Sequence, residues 1–481
     1  MKLATTLLGS AAGLCVAVGT QAADLPVERA APVEYVRVCT AVGEGFFYIP
    51  GTDTGLRIGG RVRAERIAIE TFDRRDDGVG SLARGRLNVD ARTQTEYGTV
   101  RAFFRYEITR STGAYLDSGS ALNGVGDPGQ SRTGPNLDRA FVQFGPLSAG
   151  RTQFFFDFYA NDLTFSAQLG SDLVTQTLAY TATFGDISAT IAIEDGIERR
   201  AFNSPTDFGV FADGTLFPGT RTPFGVFFPE SLVVGGQTAP DVVGALGITQ
   251  DWGTAQISAA AHQIRSANLV FAPNRPNDIR GDFPDAEYGF AIQGGVKINL
   301  PFIAAGDVLW LQAAYAQGAI NYLGFGTDTS VRNRGPFILN QSDAFVNAFG
   351  DTKTTEGFAI VGAFSHYFTP QIRGELMGSY GQLNYDRSAT GIVTAASAFG
   401  QANRLLVGAR FGFVDTAEYR LEASAIWSLV KDLDIGVDVL YQNIDPKGRV
   451  IGSESGAGGA LLRSFDDQDV VIGRMRIQRD F

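Results

Sequence analysis

With 51 acidic against 40 basic side chains, this chain of 481 residues carries a net charge of −11, which argues against nucleic acid as a partner. Its 44% hydrophobic content and mean hydropathy of +0.01 suit a soluble domain, and equally a set of strands showing apolar groups at every second position. A helix crossing a bilayer needs about 20 apolar residues in a row; the nearest approach, 308–327, is interrupted by Gln312, Gln317 and Asn321.

Residues 1–22 read as a secretory signal peptide, with Lys2, an apolar stretch from Leu3 to Val18, and small Thr20 and Ala22 before a cut at Ala23. Leu14 immediately before Cys15 does not suit a lipid-anchoring signal. Cleavage leaves Cys39 alone, so no intramolecular disulfide framework forms, and a small buried residue is the plain reading. Residues 23–55 form an N-terminal periplasmic segment leading into a strand-rich region, 56–481.

From there onward, side chains alternate with period 2. The first strand, LRIGGRVRAERIAIE, alternates to Glu65 and then slips at Arg66, as a β-bulge requires. In 81–94, Arg84, Arg86, Asn88, Asp90 and Arg92 oppose Leu87, Val89 and Ala91; in 99–110, Arg101, Arg105 and Glu107 oppose Ala102, Phe104, Tyr106 and Ile108. Further strands are predicted at 136–145, 147–155, 177–185, 187–194, 242–251, 254–264, 285–299, 307–318, 355–368, 371–386, 417–429, 433–444 and 470–481. RLLVGARFGF, 404–413, is an additional strand candidate. In the last strand Val471, Gly473, Met475, Ile477 and Phe481 share one face, Arg474, Arg476, Gln478 and Asp480 the other.

Connections sort by length. Gly145-Pro146, Gly185-Asp186, Asp251-Trp252-Gly253, Thr369-Pro370 and Lys431-Asp432 are tight turns, whereas long polar loops cover 111–135, 156–176, 195–241, 265–284, 319–354, 387–416 and 445–469. A soluble sandwich has no reason to sort loops this way; an outer-membrane barrel does. Strands entering lipid must close, because each unpaired backbone group there costs several kcal/mol. The fold class is therefore all-β, a transmembrane antiparallel β-barrel of about 16 strands. An arginine on its lipid face would cost about 2–4 kcal/mol at the midplane, so the arginine-bearing face must meet water. Aromatics at strand ends (Trp252, Trp310, Trp427, Tyr106, Tyr441, Phe481) suit interfacial girdles.

PVEYVRVCTAVGEGFFYIPGTDTGLRIGGRVR (32–63), RAFVQFGPLSAGRTQFFFDFY (139–159) and WSLVKDLDIGVDVLY (427–441) resemble the porins of alpha-proteobacteria of the rhizobial and Brucella type. The resemblance runs over nearly the whole chain. It implies a trimeric outer-membrane diffusion porin of sixteen strands with its third outer loop folded inward. The family pattern YIPGTDTCLR has a cysteine where this chain has Gly55, so the partner that Cys39 would have in relatives is missing.

Of the 40 basic residues 35 are arginines, and the early strands concentrate them on one face. Arginine stays charged and presents a rigid fork. Arg61, Arg63, Arg84, Arg86, Arg101, Arg105, Arg139 and Arg151 are therefore assigned to a basic wall of a pore constriction, facing Asp157, Asp162 and Asp172 of an acidic loop; Phe481 is assigned as an assembly signal. Such a transverse field favours small ionic or dipolar solutes. The expected activity is passive diffusion of small hydrophilic solutes and ions, without cofactor or catalytic residues; the alternative is a substrate-specific outer-membrane channel. His262 (inward) and His366 (outward) stand in no metal or triad spacing. Expected partners are outer-membrane lipid and lipopolysaccharide, two further copies in a homotrimer, and the barrel-assembly machinery acting on the C-terminal strand.

Overall fold

A computed structural model describes residues 38–39, 42–71, 77–116, 131–201, 234–267, 283–326, 341–347, 351–392, 394–395, 404–453 and 462–481; the signal peptide lies outside them. Sixteen antiparallel strands run β1 (Thr54–Ile69), β2 (Val79–Thr95), β3 (Gly98–Gly113), β4 (Ser131–Phe144), β5 (Leu147–Gln153), β6 (Val174–Phe184), β7 (Ile187–Glu194), β8 (Asp241–Gln250), β9 (Gly253–Ile264), β10 (Glu287–Asn299), β11 (Val308–Gln317), β12 (Glu356–Thr369), β13 (Ile372–Asn384), β14 (Thr416–Val430), β15 (Leu433–Pro446) and β16 (Gln468–Asp480). Each pairs with its neighbour in sequence, and β16 pairs back onto β1 from Arg61–Asp480 to Ile69–Ile472. Phe481 adds the last rung: its N–H donates to the Gly60 carbonyl (3.0 Å) and its carbonyl accepts from the Gly60 N–H (2.8 Å). Among the described residues the sheet closes on itself without an open edge.

All sixteen predicted strands are present, and tight turns gather at one end. Gly145 (φ 56°), Gly185 (φ 61°) and Asp432 (φ 62°) take the left-handed conformation that two-residue hairpin turns demand. Segment 404–413 adds no barrel strand: Arg410–Gly412 joins a separate small sheet with Thr390–Ile392 and Val450–Ser453.

One local expectation is corrected. β1 has no bulge at Arg66; its register to β2 and β16 is unbroken, Arg66 stays on the outer face opposite Met475, and Ile67 and Ile69 pack inward with Leu440, Val470 and Ile472. The apolar parity switch marks an inner hydrophobic cluster rather than a shift in pairing. A register break does occur between β3 and β4, where Arg105 pairs with Arg139 and Tyr106 with Leu137, leaving Asp138 as the extra residue.

The outer face is apolar, with Ile58, Val62, Leu178, Ile191, Ile257, Ile360, Leu421 and Val437 half or more exposed or close to it. The interior is divided. On the inner faces of β6–β12 the wall residues are small (Ala179, Ala192, Val243, Ala260, Ala291, Ala314, Ala316, Ala359), and they bury Phe156 and Leu169 together with Ile320, Tyr322, Leu323, Phe325 and Phe345 from the connection between β11 and β12. Each such large side chain contributes roughly 1.5–3 kcal/mol on leaving water. One side of the interior is thus dry-packed, because alanine walls leave room for loop side chains. Trp310 lies in a second inner cluster with Tyr159, Val361 and Met377, edge-on to Phe158 and Tyr159 at 5.1 and 5.5 Å, and not in an interfacial girdle.

Candidate functional site

Opposite the packed side, the inner faces of β1–β4 and β16 are lined with guanidinium groups. Arg61, Arg63, Arg84, Arg86, Arg101, Arg105 and Arg139 project inward, their side chains retaining 16–30% of their accessible surface. The ladder places like charges on the same rung: Arg61 opposite Arg86, Arg63 opposite Arg84, Arg92 opposite Arg101, and Arg105 opposite Arg139. Directly opposed like charges destabilise a sheet.

Carboxylates offset part of that cost: Glu107 and Glu65 sit directly across from Arg86 and Arg476, Asp480 pairs with Arg61 at 2.6 Å, and four of the five are each shared between two arginines. Glu107 lies 2.5 Å from Arg86 and 3.7 Å from Arg84. Asp90 takes Arg92 at 2.8 Å and Arg101 at 2.9 Å. Asp138, turned inward by its bulge, meets Arg105 at 3.2 Å and Arg139 at 3.8 Å. Glu65 meets Arg476 at 2.7 Å and Arg63 at 3.5 Å. The wall is therefore a lattice with an excess of positive charge, not the bare guanidinium surface that alternation alone suggests. Arg101 also lies over Phe103 and Phe141, whose stacked rings brace it.

Arg151 does not join this lattice. Its register partners Ala140 and Gln176 put it on the face of Leu147 and Leu178, and its guanidinium bonds the Leu137 carbonyl (3.0 Å) and Glu198 (2.7 Å). Gly150, at φ 122°, interrupts the strand just before it.

The connection between β5 and β6, residues 154–173, is bound by inward side chains from strands all round the barrel. Gln256 and Ser258 of β9 and Gln293 of β10 donate to its carbonyls at Phe155, Phe156 and Asp157. Gln312 of β11 accepts from Tyr159 N–H (2.9 Å), and Ser379 of β13 from Leu169 N–H (3.1 Å). At residues 164–168 Glu422 of β14 accepts from Phe165 N–H (2.8 Å), Ser166 N–H (3.4 Å), Gln168 Nε2 (3.1 Å) and the Thr164 hydroxyl. Arg420 donates to Ala167 O, Arg474 to Phe165 O, and Arg476 lies 3.9 Å over the Phe165 ring.

The three loop carboxylates have different fates. Asp162 is exposed; Asp172, also exposed, accepts from Asn161 Nδ2 (2.9 Å) and Gln153 Nε2 (3.1 Å). Asp157 is buried, accepting from Gln153 Nε2 (2.6 Å), Leu173 N–H (2.9 Å) and Ser171, and pairing with fully buried Arg199 at 3.1 Å. It braces the base of the loop instead of presenting charge, because three residues at its foot would otherwise leave donors unpaired.

A second buried polar cluster ties in the β11–β12 connection. His262 Nδ1 is 2.9 Å from both Asp241 oxygens, Tyr322 OH donates to Asp241 (2.7 Å), and Asp343 accepts from Ala201 N–H (2.6 Å) and Ile320 N–H (2.8 Å). Burial pushes the Asp343 carboxyl up to about 6.

Reasoning from alternation found the arginines but not their carboxylate partners as a set, nor Glu422. Glu65, Asp90 and Glu107 share the arginines' parity, which is a usable signal; Asp138 depends on a bulge that the sequence does not announce.

A closed strand cylinder with an apolar exterior and an arginine-lined inner wall is a membrane channel of the porin class. The match to the porin subfamily over residues 24–474 shows that the chain belongs to that family, and with it an outer-membrane location. It is 29% identical to porin Omp2b of Brucella neotomae over 364 residues, covering 72% of this chain and 83% of the relative, and 30% identical to Omp2b of Brucella suis over the same shares. Among solved structures, the outer membrane channel DcaP of Acinetobacter baumannii shares the fold, with a TM-score of 0.52 at 14% identity, covering 90% of this chain and 99% of that one.

Proposed function

We propose that solutes cross by passive diffusion through the gap between the arginine lattice and the 154–173 loop, with Asp162 and Asp172 as the acidic side of the constriction and Arg61, Arg63, Arg84, Arg86, Arg101, Arg105 and Arg139 as the basic side. The observation that carries this reading is the reach of the loop: it leaves the wall at β5 yet is gripped by Glu422, Arg474 and Arg476 on β14 and β16. Small hydrophilic solutes and ions fit such a path, and no catalytic step is part of the reading. Single-channel recording tests it: Arg84→Ala and Asp162→Asn should each change conductance or ion preference, and two unaltered channels would remove the constriction from this gap. Liposome swelling should give rates that fall smoothly with solute size; one solute class far above that trend would favour a substrate-specific channel.

The segments around the barrel complete the proposal. Residues 1–22 direct export, 23–55 stay periplasmic, and the C-terminal strand with Phe481 engages the barrel-assembly machinery. The barrel sits among lipopolysaccharide and lipid as a homotrimer. An SDS-resistant oligomer that dissociates on heating is the expected form in detergent; a monomer under mild extraction would overturn the trimer.

A further inference from the structure

We infer that the four opposed arginine pairs form an anion track, so that the channel passes small anions, chloride and carboxylate- or phosphate-bearing solutes, in preference to cations. This rests on the permeation path proposed above. A purely structural lattice of this kind would match charges one to one. Here Asp480 alone is matched to one arginine, Arg61, while four other carboxylates are each divided between two guanidinium groups and four rungs set arginine against arginine. Opposed like charges cost folding free energy, and an uncharged donor such as glutamine would satisfy the same carboxylates without that cost. What the surplus supplies is a field.

Its layout suits transit. On one strand face, arginines two to four residues apart are separated by roughly 7–13 Å, comparable with the screening length of about 8 Å at physiological salt. An anion leaving one rung is therefore already within the field of the next. The packed side of the barrel cannot offer a competing route, since its inner face is filled by apolar loop residues. The exposed carboxylates of the facing loop, Asp162 and Asp172, are fewer than the surplus guanidinium groups opposite them.

The test is a planar bilayer holding the full-length mature protein across a tenfold KCl gradient. One uncompensated, unscreened positive charge about 8 Å from an ion in water gives a chloride-over-potassium permeability ratio of about 6, and the ratio should fall toward unity as salt rises to about 1 M. The double variant Arg61→Gln/Arg86→Gln should lower the ratio at least twofold, Arg61→Lys/Arg86→Lys should keep it, and Glu107→Gln should raise it. Open channels that reverse at zero or on the potassium side overturn the anion track while leaving the pore intact. A ratio unmoved by the glutamine pair also overturns it. Membranes with no current steps at all would overturn the permeation path itself.

Discussion

Glu422 offers the sharpest perturbation of the site. Its buried carboxylate collects four donors from residues 164–168, two of them backbone N–H groups. Hydrogen bonds to a charged group are worth about 1.5–3 kcal/mol each. Counting two such bonds, from the Phe165 N–H and the Thr164 hydroxyl, Glu422→Ala should forfeit about 3–6 kcal/mol. Because the tip borders the lumen, water can replace some of these bonds, and the lower end of that range applies. About 3 kcal/mol shifts the balance between docked and undocked tip by roughly a hundredfold. Single-channel recording should then show a larger and noisier open state in Glu422→Ala. Glu422→Gln, which keeps the acceptor oxygen but loses the charge, should fall between it and the parent. Conductance and open-channel noise identical to the parent in the alanine variant would refute the claim that this carboxylate positions the loop.

Three further outcomes follow from particular contacts. A Cβ on Gly55 would stand 3.5 Å from Cys39 Cβ, within the separation of about 3.5–4.5 Å that a disulfide spans. Gly55→Cys should therefore oxidise on export, with Val42 swinging aside, and the closed loop should add about 3 kcal/mol; maleimide labelling of both thiols without reductant would contradict this. A Cβ on Gly60 would meet the Phe481 ring at 2.5 Å as well as the Arg86 carbonyl, so Gly60→Ala should lower the heat-dissociation midpoint by an amount equivalent to about 1–3 kcal/mol, and an unchanged midpoint would argue against Phe481 as the closing rung. The Asp343 carboxyl, raised to about 6 by burial, binds a proton more tightly folded than unfolded. Its contribution is fully present below about pH 4 and fades as pH rises through about 6. Thermal stability should thus decline between about pH 4 and 6.5, and Asp343→Asn should flatten that slope; an equal slope in both proteins would assign the dependence elsewhere.

Alternation is readable because a strand in a membrane-spanning wall has only two environments, and apolar and polar residues sort between them. That is why all sixteen strands, the tight turns and the inward direction of Arg61, Arg63, Arg84, Arg86, Arg101, Arg105 and Arg139 could be assigned from the order of residues. The same logic failed wherever a third environment exists. Ile67, Ile69 and Trp310 look lipid-facing by type, yet they point inward because loops and neighbouring side chains create apolar space there. Asp157 looks like a free loop acid until Arg199, brought from a different loop, neutralises it.

The closed cylinder and the side of the wall on which charge lies are legible in residue order, since both follow from period-2 patterning and from the cost of unpaired backbone in lipid. Which carboxylate bridges which pair of arginines, and which loop residues fill the alanine-walled side while the arginine side stays open, emerge only in the folded chain. Those outcomes depend on cross-strand register, on the single inserted residue at Asp138, and on contacts between segments more than a hundred residues apart, none of which leaves a local periodic trace.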